Sequence, residues 1–241
     1  MKKLIAALLI TSVFASCGKE GAPEPEPTES DYTCPTCTVA PEALPKNDTM
    51  SSGVYKGVLV GSSGTIAVYI HNEGTEKKAE LKLDGKSTML TTTSLDEWTP
   101  GEPIDKALFT GMLKGEEVQL VFSVGAHGLD AIADVTVPGH HDLTSFIYKE
   151  SSNVAIKSFE GDYSGDEGKG VFNLVVNGND VSIILSGKGA PMQTRVENRL
   201  IEFVSENGFL ITGKFYNDAV GGSLKNIASG GEGGWKALRT L

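Results

Sequence analysis

Glycines and aromatics recur along this chain at a constant offset, and that recurrence restricts the fold more than any other feature. Tyr55, Gly57, Gly61, Gly64 and Gly74 stand 104 residues before Phe159, Gly161, Gly165, Gly168 and Gly178. A two-residue difference then aligns Leu81, Leu83 and Gly85 with Ile183, Leu185 and Gly187. A further nine-residue difference aligns Gly115, Phe122 and Gly128 with Gly208, Phe215 and Gly221. Glycine is demanded where φ is positive or where backbones approach closely, so matched glycines mean that the same turns and bulges are built twice. The chain is one module and its duplicate.

Between the glycines, short runs of alternating Val, Ile, Leu, Phe and Tyr are broken every eight to twelve residues by Gly, Asn or Asp. That is the pattern of antiparallel strands and tight turns, and helical periodicity is hard to find. Strands are predicted over 54–60, 65–71, 79–83, 87–93, 107–113, 117–124 and 131–137, and again over 159–163, 170–176, 180–185, 192–196, 200–205, 209–216, 222–227 and 234–238. Asn177-Gly178-Asn179-Asp180 reads as a hairpin turn, since Asn and Gly accept the positive φ that primed turns require. The fold class is therefore all-β: two duplicated antiparallel modules over 52–138 and 156–241, each a small sandwich or partly open barrel, joined by a connector over 139–155.

The start of the chain is of another kind. Lys2 and Lys3 precede an apolar run from Leu4 to Ala15, too short to span a bilayer, which reads as a signal peptide over 1–16. Val13-Phe14-Ala15-Ser16-Cys17 resembles a lipobox, with Phe14 departing from the usual Leu. The resemblance implies that Cys17 takes diacylglycerol and becomes the N-terminus, leaving a mature chain tethered to a membrane by lipid. Residues 17–51 are rich in Pro, Glu, Thr and Ser and read as a disordered tether. The acidic stretch after Cys17 resembles the export signals of some Gram-negative surface lipoproteins, and Gly18 resembles outer-membrane sorting. Those likenesses imply the outer membrane, on its periplasmic or outer face.

Without Lys2 and Lys3, 19 basic residues stand against 31 acidic ones, which argues against nucleic acid or anionic lipid as a partner. Cys34 and Cys37 are expected to pair with each other in an oxidising envelope. Thr38 stands where haem attachment needs His, and zinc would need a second pair of ligands. A staple inside a free tether should leave the stability of the β region unchanged when removed.

Little in the sequence carries chemistry. No Gly-x-Ser-x-Gly, His-Glu-x-x-His or complete calcium-loop pattern occurs, and no cofactor is expected. His140 and His141 are adjacent and read as a loop between the modules, with metal ligation as the minor reading. Asp162, Asp166 and Glu167 read as a solvated acidic turn, with calcium as the minor reading. The nine-residue excess of the first copy, Ser94 to Glu102, is the strongest candidate for ligand contact, through Asp96, Glu97 and Trp98. An indole beside two carboxylates suits a sugar face or a peptide, and the competing reading has Trp98 capping its own module.

Phe159-x-Gly161-x-Tyr163-x-Gly165 at the opening of the second copy, with Gly233-Gly234-Trp235 before Arg239 at its close, resembles small glycine-rich β repeats of uncharacterised bacterial lipoproteins. The resemblance implies fold alone. The expected function is a non-catalytic, envelope-anchored binding or interaction module with a glycan or envelope protein as partner. The alternatives are an envelope enzyme, such as a hydrolase, with a dispersed site, and a small-molecule carrier with an apolar ligand inside a barrel.

Overall fold

The computed structural model describes residues 32–60, 63–141, 143–186 and 192–241. The segment read as a signal peptide, Cys17 and the stretch up to residue 31 read as tether lie outside the described residues, as do Gly61 and Gly187 of the repeat. Eight strands make the first sheet: β1 (Gly53–Val60), β2 (Gly64–Ile70), β3 (Lys77–Leu83), β4 (Lys86–Thr91), β5 (Ile104–Leu113), β6 (Glu116–Val124), β7 (Ile132–Thr136) and β8 (Thr144–Lys149). Eight more make the second: β9 (Ile156–Gly165), β10 (Gly168–Asn177), β11 (Asp180–Leu185), β12 (Met192–Arg195), β13 (Leu200–Val204), β14 (Phe209–Phe215), β15 (Ala219–Asn226) and β16 (Glu232–Arg239).

Each sheet is an antiparallel meander curled into a nearly closed barrel. In barrel 1 the last strand pairs with the first, β8 with β1, and the open seam falls between β7 and β8. In barrel 2, β16 pairs with β9 and the seam falls between β12 and β13. All fifteen predicted strands are present. The sixteenth, β8, lies in the stretch read as a connector, so the first sheet runs on to Lys149. Its signature is hidden because both of its faces are covered. Ile147 enters the core of barrel 1 while Phe146 and Tyr148 pack outward against barrel 2, leaving no alternation of polar and apolar residues.

The matched glycines perform the same task in both copies at one place above all. A Cβ on Gly57 would stand 1.8 Å from the Phe146 carbonyl oxygen, and one on Gly161 would stand 1.8 Å from that of Lys236. These glycines let the last strand lie close against the first and close the barrel. Gly57→Ala and Gly161→Ala are each expected to cost about 1–3 kcal/mol, read by urea denaturation, because the clash is with backbone and cannot be relieved by a rotamer change. Gly128 and Gly221 are not equivalent as the offset suggested: Gly128 sits in the turn after β6 at φ +75°, whereas Gly221 is paired with Lys236 within β15.

The interiors are filled by side chains. Tyr55 meets Phe122 edge to face at 5.0 Å in barrel 1, and Phe159 meets Phe215 at 5.6 Å in the same way in barrel 2. Barrel 2 adds Trp235, stacked on Phe172 with ring centroids 4.0 Å apart. Outer faces pack as well, through Val58 and Val60 of β1 against Ile156, Val175 and Ile184. Asn173 donates through Nδ2 to the Leu59 carbonyl at 2.8 Å, and the hydroxyls of Tyr148 and Ser182 bond at 2.5 Å. The two barrels are therefore fused along a buried face.

The second half of the tether is not free. Residues 32–50 lie along both barrels as a strap, with Cys34, Ala43 and Asn47 buried. Each barrel grips it with the last cation of its closing strand. Arg239, paired with Phe159 in the ladder, donates through Nη2 to the Thr38 carbonyl at 2.5 Å. Lys149, paired with the equivalent Tyr55, donates to the carbonyls of Asn47, at 2.6 Å, and Met50. The composition that suggests disorder is that of a segment whose docking energy comes from backbone hydrogen bonds rather than apolar burial.

Candidate functional site

The loop between β4 and β5 is shaped by its own backbone. Asp96 N–H donates to Thr93, Trp98 N–H to Leu95 and Glu102 N–H to Thr99, which makes successive turns over the end of barrel 1. Leu95 is buried and pins the loop down. Trp98 is half-buried against the barrel 1 core, its Nε1 donates to the Glu102 carbonyl at 3.0 Å, and its ring meets His71 edge to face at 5.3 Å. Ser51, just beyond the strap, also donates to the Glu102 carbonyl. Burial, with help from Lys77, holds the His71 imidazole below its ordinary pKa. Trp98 thus serves as a lid on its own barrel.

The two carboxylates of the loop stay in solvent. Asp96 is 67 % exposed and takes a 3.4 Å contact from Lys77 Nζ, and Glu97 is exposed. The structure brings Asp96, Glu97 and the outer face of Trp98 to one loop, where they can accept hydrogen bonds from hydroxyls or attract a cation. An exposed Asp96–Lys77 pair contributes little to stability, so those groups remain available to a ligand.

The minor metal candidates are not gathered. His140 Nε2 lies 3.7 Å from Asp84, which also faces Lys114 at 3.9 Å, while His141 points into solvent. Asp162 sits on a rung between Val171 and Lys236. Asp166 accepts from Glu232 N–H at 3.1 Å and Glu167 from the Ser229 hydroxyl at 2.5 Å, so their carboxylates serve turn structure. Among the described residues no group of three His, Cys, Asp or Glu is placed to hold a metal ion. The cleft beside that acidic turn, lined by Tyr163, Leu185 and Phe209, has a volume of about 20 Å³, roughly the room of one water.

Two ion pairs, one fully buried and one part-buried, escaped the sequence reading, and both hold the strap. Lys56 on β1 is 1 % exposed, and its Nζ lies 3.0 Å from Glu150 Oε1 and 2.6 Å from Glu42 Oε2. Glu150, fully buried, also accepts from the backbone N–H groups of Glu42, Ala43 and Ile156. One carboxylate thereby joins β1, the strap and the first residue of barrel 2. The available signal was a lysine in the middle of the apolar run Val54 to Val60, a position where an unpaired charge would not be tolerated.

At the far end of the strap, Asp218 pairs with Arg239 at 3.2 Å and accepts the Cys34 N–H at 2.9 Å. Cys34 and Cys37 are joined in a disulfide. The four-residue ring so formed presents the Cys34 donor to Asp218, and the Thr38 acceptor just beyond it takes Arg239. Because this loop is docked, Cys34→Ser with Cys37→Ser is expected to lower stability by about 1–2 kcal/mol, the chain-entropy value for so short a loop. A melting curve of the double variant checks this, and it replaces the expectation of no change for a free tether.

Burial works to raise the Asp218 pKa, but the bonds from Cys34 and Arg239 outweigh it and hold the carboxyl below its ordinary value of 3.8. A depressed folded value stabilises the fold in full above the unfolded value and loses that contribution as pH falls through the folded one. Acid titration of the strap, followed by proteolysis near Cys34, should therefore show release only below about pH 4. Asp218→Asn should release the strap already at neutral pH.

Fold and surface together define a class: a fused pair of eight-stranded antiparallel barrels, filled inside, with their buried charges committed to a shared strap. Compared with protein-family models, with curated proteins and with solved structures, the chain finds no match in any of the three.

Proposed function

We propose that this chain is a lipid-anchored, non-catalytic binding module of the bacterial envelope, held through Cys17 and presenting the loop of Asp96, Glu97 and Trp98 to a glycan or envelope protein. The observation that carries the reading is the use of the ionisable groups. The buried pair Lys56–Glu150 and the pair Asp218–Arg239 hold structure, whereas the loop keeps Asp96 and Glu97 exposed beside Trp98. Acid, base and nucleophile must converge to do chemistry, whereas a lectin-like or protein-binding surface needs only an aromatic face and acceptors at its rim.

The strap gives the anchor a short reach. Only the residues from Gly18 to Asp31 separate Cys17 from the docked segment, which fixes the body within about 50 Å of the lipid. That distance suits a partner at or near the same membrane.

The test measures binding to a panel of envelope glycans and proteins by wild type and by Asp96→Asn with Glu97→Gln, a variant that keeps the lid. Loss of binding by the folded variant supports the site, and unchanged binding rejects it. In parallel, Cys17→Ser should leave the protein out of the membrane fraction. A wild-type protein without lipid would reject the anchor while leaving the loop result intact.

A further inference from the structure

Two connections at one end of barrel 1 are longer than their counterparts in barrel 2. β2 and β3 are joined by residues 71–76, where Gly178 and Asn179 suffice between β10 and β11. β4 and β5 are joined by residues 92–103, where residues 196–199 suffice between β12 and β13. The two longer connections meet, with His71 of one lying edge to face against Trp98 of the other at 5.3 Å. The pair is an addition particular to barrel 1.

His71 is held in place from both sides. Its N–H donates to the Glu76 carbonyl at 2.8 Å, and the buried Asn72 beside it bonds to the strap at Glu42, Leu44 and Asn47. Its φ of +47° is left-handed, a conformation that a residue other than glycine keeps where its surroundings fix it. The imidazole thus stays against the indole, with Nε2 buried and, among the described residues, without a hydrogen-bond partner. A neutral ring can keep its proton on Nδ1, whereas an imidazolium carries N–H on both nitrogens and would bury one of them, with its charge, unsatisfied. The charged groups around it give little relief. Lys77 of β3 and Lys46 of the strap oppose a further positive charge, and Asp96 is engaged by Lys77. Glu76 favours it, but its carboxylate already accepts the N–H groups of Glu73 and Gly74. On the loop, Glu102 Oε2 accepts the Thr99 N–H and Glu97 is in solvent.

We propose that protonation of His71 lifts Trp98 and frees the loop of Asp96 and Glu97, so that the lid of barrel 1 opens in acid. The closed lid is the state of the neutral ring. Because burial and Lys77 hold the His71 pKa below its ordinary value of 6.5, the open lid takes up the proton more readily than the closed one. The closed lid is therefore favoured in full above that ordinary value and loses ground as pH falls below it. On opening, the Trp98 Nε1–H gives up the Glu102 carbonyl. The device rests on the contact of His71 with Trp98 and stands apart from what the loop binds.

The experiment follows the two indole N–H groups by NMR from about pH 8 to about pH 5, a range that spans the titration of an ordinary histidine. The Asp218 contact of the strap, held by a depressed pKa, stays intact there. Trp235, whose Nε1 is bonded inside barrel 2, serves as the internal reference for exchange with solvent. The Trp98 N–H, measured against that of Trp235, should exchange at least about tenfold faster at the acid end, with a midpoint that coincides with the titration of the His71 ring C–H resonances. His71→Asn, which keeps a residue tolerant of left-handed φ but removes the titrating group, should leave the ratio flat across the range. Should that variant fail to fold, the coincidence of the two midpoints in the wild type decides. A Trp98 ratio that stays flat or falls while His71 titrates overturns the proposal, as does a rise that persists in folded His71→Asn or has a midpoint apart from that of His71.

Discussion

Glu150→Ala is expected to destabilise the protein by about 3–5 kcal/mol, the loss typical of stranding one member of a buried ion pair. Lys56, 1 % exposed, would keep only Glu42 as its carboxylate partner, and three backbone N–H groups from Glu42, Ala43 and Ile156 would lose their acceptor. The damage reaches three parts of the molecule at once, so the strap and the junction between the barrels should loosen together. Urea denaturation measures the energy. Limited proteolysis around Ala43 shows whether the strap leaves with it. Replacing the pair by Lys56→Met with Glu150→Gln should cost much less than Glu150→Ala, because no charge is then buried alone.

Trp235→Ala is the other large loss, again about 3–5 kcal/mol, since it removes a stacked ring from a filled core and leaves a cavity behind. Gly213 and Gly222 line that space, so a Cβ on Gly213 would stand 2.3 Å from the indole and a Cβ on Gly222 1.9 Å from the Thr212 carbonyl oxygen. Their backbones are held in the ladder and cannot collapse far into the hole. Trp98→Ala is the control. It truncates a half-buried lid with one hydrogen bond to a backbone carbonyl and should cost about half as much. Equal losses would mean that Trp98 is as much a core residue as Trp235. Thermal and urea denaturation of the two variants side by side gives the comparison.

The strands were legible because the glycines of the repeat need positive φ in the turns that end strands, as at Gly115 and Gly208, or allow close approach within a strand, as at Gly57 and Gly161. Those are demands of the backbone itself and survive duplication. β8 was not legible, because a strand buried on both faces has no period of two to read. The strap was misread for a related reason: apolar composition measures how much surface a segment can bury, not how many of its backbone groups find acceptors on a neighbouring surface. Barrel 1 holds Asn72 and Glu150 ready for Leu44 and Ala43, and no local pattern around residues 42–47 announces them.

The candidate site was legible in part. The extra residues between β4 and β5 marked a loop particular to barrel 1, and the alternative role foreseen for Trp98, closing its own barrel, is the one its packing supports.

The description of the molecule as one body depends on the strap belonging to the fold, and amide hydrogen exchange of residues 32–50 measures that directly. The N–H groups of Cys34, Glu42, Ala43, Leu44 and Asn47, each with an acceptor in the structure, should exchange as slowly as those of β1. Exchange of all five at the rate of an unstructured peptide would contradict the account and return the segment to a free tether.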